Sequence, residues 1–261
     1  MQFAYLSDSV VIKKVSETNT DGVFEIEGLY SGYGITVGNA LRRVLFSSLP
    51  GAAITQFKAK GAQHQFSALP NVVEDLVEIG INLKKIHFRV HTDEPQILTL
   101  KVRGEKSVTA EDIELNSNVE MITPEVHIAT ISDKSGELDL ELQVEKGLGF
   151  SSVEARKSEK LPIGMIALDA AFSPVVKASF SVENMRVGDQ TDYNRLIVSI
   201  TTDGSITPSA ALHKASNILK DHFDKISNIE VKELDVRPAA EKKVLKPEKK
   251  TAKKKTTKKK K

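Results

Sequence analysis

An α+β fold is predicted for this chain of 261 residues by three observations. Apolar and polar residues alternate over much of its length, as in VFEIEGL (23–29) and ELDLELQV (137–144), the period of half-buried strands. Two strong stretches of three- and four-residue spacing, one near each end, predict amphipathic helices. Their order is sheet and helix, a long mostly β middle, then sheet and helix again. A unit inserted into another accounts for that order. Residues 1–51 and 176–235 would form one discontinuous unit of antiparallel sheet plus two helices, 52–175 the mainly β insert, and 236–261 a disordered lysine-rich tail.

Taken in order, SVVIKKVSE and VFEIEGL read as two strands around a polar turn at Thr18–Gly22. Ser31-Gly32-Tyr33-Gly34 needs backbone angles or a close approach that glycine allows. Thr36 can then cap a helix whose apolar face carries Val37, Ala40, Leu41, Val44 and Leu45, with Pro50-Gly51 as its stop. At about 1.5 Å per residue that helix is about 20 Å long. AAITQFKAKGA and HQFSAL read as short strands, and Val72, Leu76, Ile79 and Leu83 share one face of a further helix. IHFRVHT, QILTLKVRG, VEMITPEVHIATI and ELDLELQVE are strand-like, with Glu137, Asp139 and Glu141 on one solvated face. KASFSVENMRV and RLIVSITTDGSI pair through GDQTDYN. In the last helix Thr207 caps, Pro208 takes the first position, and Ala211, Ala215, Ile218, Leu219, His222 and Ile226 form a stripe.

Composition narrows the function classes. No apolar run approaches the ~18 residues of a spanning helix, so no membrane segment is expected. The start lacks the basic region and cleavage site of a secretory signal, and cysteine is absent, which excludes disulfides and fits a cytoplasmic location. From Glu241 onward twelve lysines face two glutamates; against the overall +2, residues 1–240 therefore carry about −8. An acidic body argues against a general nucleic-acid binder. The tail reads either as a solvated end or as a sequence-blind DNA contact through counterion release. A stand-alone nucleic-acid-binding protein acting through that tail is the alternative function.

No catalytic constellation is found, and no metal or cofactor site is expected. Gly32 to Gly38 has the spacing GxGxxxG without the lysine and hydroxyl residue of a P-loop, so packing glycines explain it better than a phosphate loop. The six histidines are scattered, with His87 and His91 on a strand rather than a helical metal motif, and no GxSxG elbow occurs. Gly38 costs its helix roughly 1 kcal/mol against alanine, so close backbone approach is expected there. Arg42, Arg43 and Phe46 decorate the rest of that helix. The arginines suit phosphate, an acidic partner, or plain solvent, and Phe46 is the aromatic type that interfaces favour.

GYGITVGNALRRVLFSSLPG closely resembles the first helix of the bacterial RNA polymerase alpha subunit family. ITPEVHIATI, KGLGF, LPIGMIALDAAFSPV and VENMRVGDQTDYNRLIVSITTDGSITPSAAL resemble successive parts of the same domain, in order, from about residue 8 to 236. The resemblance implies that 1–51 with 176–235 is a dimerisation subdomain, and that the chain is a homodimer scaffolding the beta and beta-prime subunits of DNA-directed RNA polymerase, a nucleotidyltransferase whose active site lies elsewhere. On that reading Leu41, Val44, Leu45, Ala215, Ile218 and Leu219 form the dimer interface. The resemblance also places a beta contact at Arg43 and Phe46, and a beta-prime contact at Lys84 and Leu168. The family's helical promoter-binding domain is not expected after Val236, where apolar residues are nearly lacking.

Overall fold

The computed structural model describes residues 10–62, 64–156, 164–188 and 190–229. The lysine-rich tail, 236–261, lies outside the described residues, as do 1–9 and 230–235 at the ends of the discontinuous unit.

The described chain opens with β1 (Val11–Glu17) and β2 (Asp21–Leu29), the two strands expected around the Thr18–Gly22 turn. Helix α1 (Tyr33–Ser47) leads into β3 (Pro50–Ala59), and helix α2 (Leu76–Leu83) into β4 (Phe88–Val90). Next come β5 (Gln96–Arg103), β6 (Lys106–Thr109), β7 (Ile113–Glu114), β8 (Val119–Met121), β9 (His127–Ile131) and β10 (Glu137–Leu148). Short strands β11 (Phe150–Ser151), β12 (Met165–Ala167) and β13 (Ala170–Ala171) precede the long hairpin β14 (Val175–Val187) and β15 (Gln190–Thr202), and helix α3 (Pro208–Ser227) ends the described chain.

Among the described residues two main antiparallel sheets form. One has the order β1-β2-β15-β14; the other runs β7-β5-β10-β3-β4-β8, with β12 also on β3. Each sheet has its own apolar cluster. Leu138, Leu140, Leu142 and Val144 of β10 point into the larger one with Phe57, Phe88 and the α2 residues Leu76, Ile79 and Leu83. Phe24, Ile26, Leu196, Val198 and Ile200 of the four-stranded sheet meet Leu41, Leu45, Ala211 and Ala215 of the two helices. The clusters adjoin where Arg89 of β4 donates to the carbonyls of Ser205 (2.9 Å) and Gly204 (3.3 Å) just ahead of α3.

Three local expectations are corrected. Thr36 is not a cap: α1 begins a turn earlier, behind Gly32 in the left-handed region (φ 83°). Its first amides find a tertiary partner instead, since the side-chain oxygen of buried Asn194 accepts from Gly32 N (2.9 Å) and Gly34 N (3.3 Å). HQFSAL is not a strand; its residues turn, and only Ala68 makes a bridge, to Asp75. A strand needs a free sheet edge, and β12 occupies the edge of β3 alongside Gln56–Lys58. Helix α2 starts at Leu76, because Asp75 caps it by accepting from Glu78 N at 2.7 Å, while Val72 bridges to Ile131. In α3 the expected cap holds, with Thr207 accepting from Ala210 N.

The α3 N-terminus also makes an acid-sensitive contact. Glu17 of β1 accepts from Ser209 N at 2.9 Å and pairs with Lys14. The Ser209 hydrogen bonds, then Lys14, hold its carboxyl down at about 2, against 4.5 ordinarily. A depressed folded-state value means that this contribution is complete above pH 4.5 and fades as pH falls toward 2. Glu17→Gln is expected to flatten that part of the stability profile. Thermal midpoints measured from pH 5 to 2 check it; an unchanged slope would show that the contact carries no acid sensitivity.

Candidate protein-interaction surfaces

Helix α1 divides its circumference in an unexpected way. The buried stripe is Gly34, Gly38, Leu41 and Leu45, rotated from the predicted apolar face so that glycines meet the sheet. A Cβ on Gly34 would lie 2.7 Å from Val182, and one on Gly38 2.6 Å from the Phe180 ring and 2.9 Å from Leu196. The bulk at this junction therefore comes from β14 and β15, and close packing explains Gly38.

This rotation relocates the predicted dimer residues. Leu41 (5% exposed), Leu45 and Ala215 (both 0%) are buried within the chain itself, because α1 and α3 lie side by side on one sheet face and spend that stripe on each other and on the strands beneath. Val44, Ile218 and Leu219 are half-buried against the same cluster. What the two helices leave outward is different: Tyr33 and Ile35 on α1, and Phe223 (63%) and Ile226 (65%) on α3, with Ile229 just beyond. Phe223 had no place in the predicted stripe, although its spacing from Leu219 and Ile226 was a usable signal.

The other flank of α1 carries Arg43, exposed, and Phe46, half-buried against the core. Arg42 is turned to Asn39 Oδ1 at 3.0 Å, so the two neighbouring arginines face different surroundings. Beside the end of α1, Gly149 takes φ 62° next to the Ser47 carbonyl, and its neighbours Leu148 (60%) and Phe150 (67%) stand exposed.

Lys84 and Leu168, 84 residues apart, are brought to one place. Gly80 of α2 lies against Leu168, whose Cδ2 would be 3.0 Å from an added Cβ. The cleft between α2 and the 166–169 segment, about 340 Å³, is lined by Leu76, Val77, Ile81, Lys84, Leu168 and Asp169 among others. Leu168 is only 9% exposed and forms the floor; Ile81 (53%) and Val77 (38%) form the accessible apolar wall. Lys84 pairs with Asp169 at 3.2 Å. The amide of Val153, followed by Lys84, holds the Asp169 carboxyl below its ordinary range.

Among the described residues no three histidine or acidic side chains cluster as a metal site, and no helix is long and apolar enough to cross a membrane. The geometry offers surfaces: an apolar helix face, an arginine flank and a cleft.

The model of the RNA polymerase Rpb3/RpoA insert domain matches residues 54–173, the stretch that holds the larger apolar cluster. The similarity continues on both sides of it. A DNA-directed RNA polymerase subunit alpha from Alkaliphilus oremlandii is 44% identical over 215 residues, covering 82% of this chain and 68% of the relative. The chain belongs to the bacterial RNA polymerase alpha-subunit family. Further subunits of the same name, from Symbiobacterium thermophilum and Moorella thermoacetica, are 46% and 47% identical and cover 80% and 77% of this chain. The match spans 66% and 64% of their lengths, slightly under two thirds. For an alpha-family chain, the predicted α+β class is the observed one, with 15 strands and three α-helices among the described residues.

Proposed function

We propose that this chain acts in DNA-directed RNA polymerase as a non-catalytic homodimer that scaffolds assembly of the beta and beta-prime subunits. The observation that carries the reading is the similarity to alpha subunits over 215 residues, 82% of this chain. The α1/α3 unit is the dimerisation subdomain and the larger-sheet unit the insert. The twofold contact runs through the outward residues Tyr33, Ile35, Phe223 and Ile226, supported from below by Val44, Ile218 and Leu219. Leu41, Leu45 and Ala215 shape that face from within. An obligate interface of this kind buries more than about 2,000 Å².

Arg43 and Phe46 then meet the beta subunit. The exposed guanidinium offers a planar fork to a carboxylate or to carbonyls, and the half-buried ring beside it is a rigid anchor. The α2 cleft, with Lys84 at its rim and Leu168 on its floor, receives beta-prime.

Purification of the chain from its own cells tests the whole: both large subunits are expected with it, at two copies of this chain to one of each. Arg43→Ala is expected to leave the dimer intact and to weaken beta capture by about thirtyfold, at the lower edge of an interface hot spot. A pull-down with full capture by that variant removes Arg43 from the surface.

A further inference from the structure

Asp169 sits between β12 and β13, facing the end of α2. Its two carboxylate oxygens have separate partners. Oδ1 accepts from Val153 N at 2.9 Å, and Oδ2 from Lys84 Nζ at 3.2 Å. The backbone carrying it is pinned as well: Leu168 N donates to the Thr55 carbonyl at 2.8 Å, and Arg156 Nη2 donates to the Leu168 carbonyl. Arg156 also reaches the Thr55 carbonyl, at 3.4 Å, through Nη1. The carboxylate is therefore fixed by groups that do not involve Lys84.

Lys84 is the opposite case. It is the C-cap residue of α2, and its ammonium sits on a flexible four-carbon stem that loses rotamer freedom when held. Its side chain is 38% exposed at the cleft rim. We propose that Asp169 is the positioning residue that holds Lys84 over the α2 cleft, and that the pair selects an apolar segment ending in a neutral acceptor such as a backbone carbonyl. The ammonium has three donors and Asp169 takes one, so two remain for a partner. An incoming carboxylate would meet the charge of Asp169 together with that of Lys84 and gain little. A neutral acceptor uses the free donors without that penalty, while Val77 and Ile81 supply apolar contact.

This inference rests on the reading that the cleft receives beta-prime, and the test separates the two. Beta-prime capture by the assembled dimer–beta complex is measured for Lys84→Ala, Asp169→Asn and the double variant. Asp169→Asn keeps an oxygen for Val153 N while removing the charge that holds Lys84, so the fold is retained; thermal melting confirms this. Each single change is expected to weaken capture roughly tenfold, and the double no further, as for directly coupled neighbours. Asp169→Glu is expected to restore part of the loss. Capture by the unaltered chain should change little between low and moderate salt, because the pair is neutral overall. Unaltered capture by Asp169→Asn, or losses that multiply in the double variant, overturns the positioning role while leaving the cleft as the beta-prime site. Unaltered capture by Lys84→Ala removes the cleft reading, and the inference with it.

Discussion

Gly51→Ala is expected to destabilise the chain by about 3 kcal/mol or more, beyond the usual cost of overpacking a core. Gly51 pairs with Gly147 across β3 and β10, and Phe172 packs over the pair. A Cβ on Gly51 would lie 1.9 Å from the Phe172 carbonyl oxygen, and one on Gly147 2.7 Å from the Phe172 ring. A ring can swing aside; a backbone carbonyl cannot, and Phe172 is further held by its amide bond to the Gly149 carbonyl at 2.8 Å. The strand junction must open for the methyl to fit. Circular dichroism melting should show the midpoint lowered by about 6–12 °C for a chain of this size. A fall below about 2 °C would mean that β13 and the segment behind it yield easily.

Phe223→Asp combined with Ile226→Asp is expected to convert the proposed dimer to a monomer, raising its dissociation constant about a millionfold, because both protomers carry both substitutions. Each side chain contributes about 2 kcal/mol when buried, and a charge adds to the loss. Both positions are largely exposed within one chain, so the fold itself should survive, with unchanged far-ultraviolet dichroism. Analytical ultracentrifugation reads the result. A double variant that still sediments as a dimer moves the interface elsewhere, and an unaltered chain that sediments as a monomer removes the homodimer. Leu41→Asp, the natural choice from helical spacing alone, is a poorer probe. It would place a carboxylate inside the α1–α3 cluster, and the expected outcome is unfolding rather than dissociation.

Much of the architecture was legible in local pattern. Strands β2, β5 and β10 follow from alternation, and α3 from Thr207-Pro208 and its stripe, because these depend on period and capping chemistry within a few residues. What misled was whatever depended on distant partners. The acceptor for the first amides of α1 is Asn194, more than 150 residues away, and no local signal distinguishes it from the turn chemistry of its neighbours. HQFSAL has a plausible strand pattern but no sheet edge to join.

The proposed sites divide in the same way. Arg43 and Phe46 stand out by residue type and take a role from the family resemblance, which alone points to Lys84 and Leu168. That Lys84 and Leu168 share one cleft, with Asp169 paired to the lysine, required the packing of α2 against the segment that follows β12.

By itself, then, the sequence determined the class of fold, the order of its elements and the family, since hydrophobic period, caps and ordered motifs are properties of the chain alone. Only the tertiary structure decided which side of each helix is spent internally and which is left for a partner. The reason is that burial is a property of pairs of surfaces. Gly34 and Gly38 let α1 sink onto Phe180 and Val182, and that one approach turned Leu41 and Leu45 inward and left the outer face to Tyr33, Ile35 and the distal half of α3.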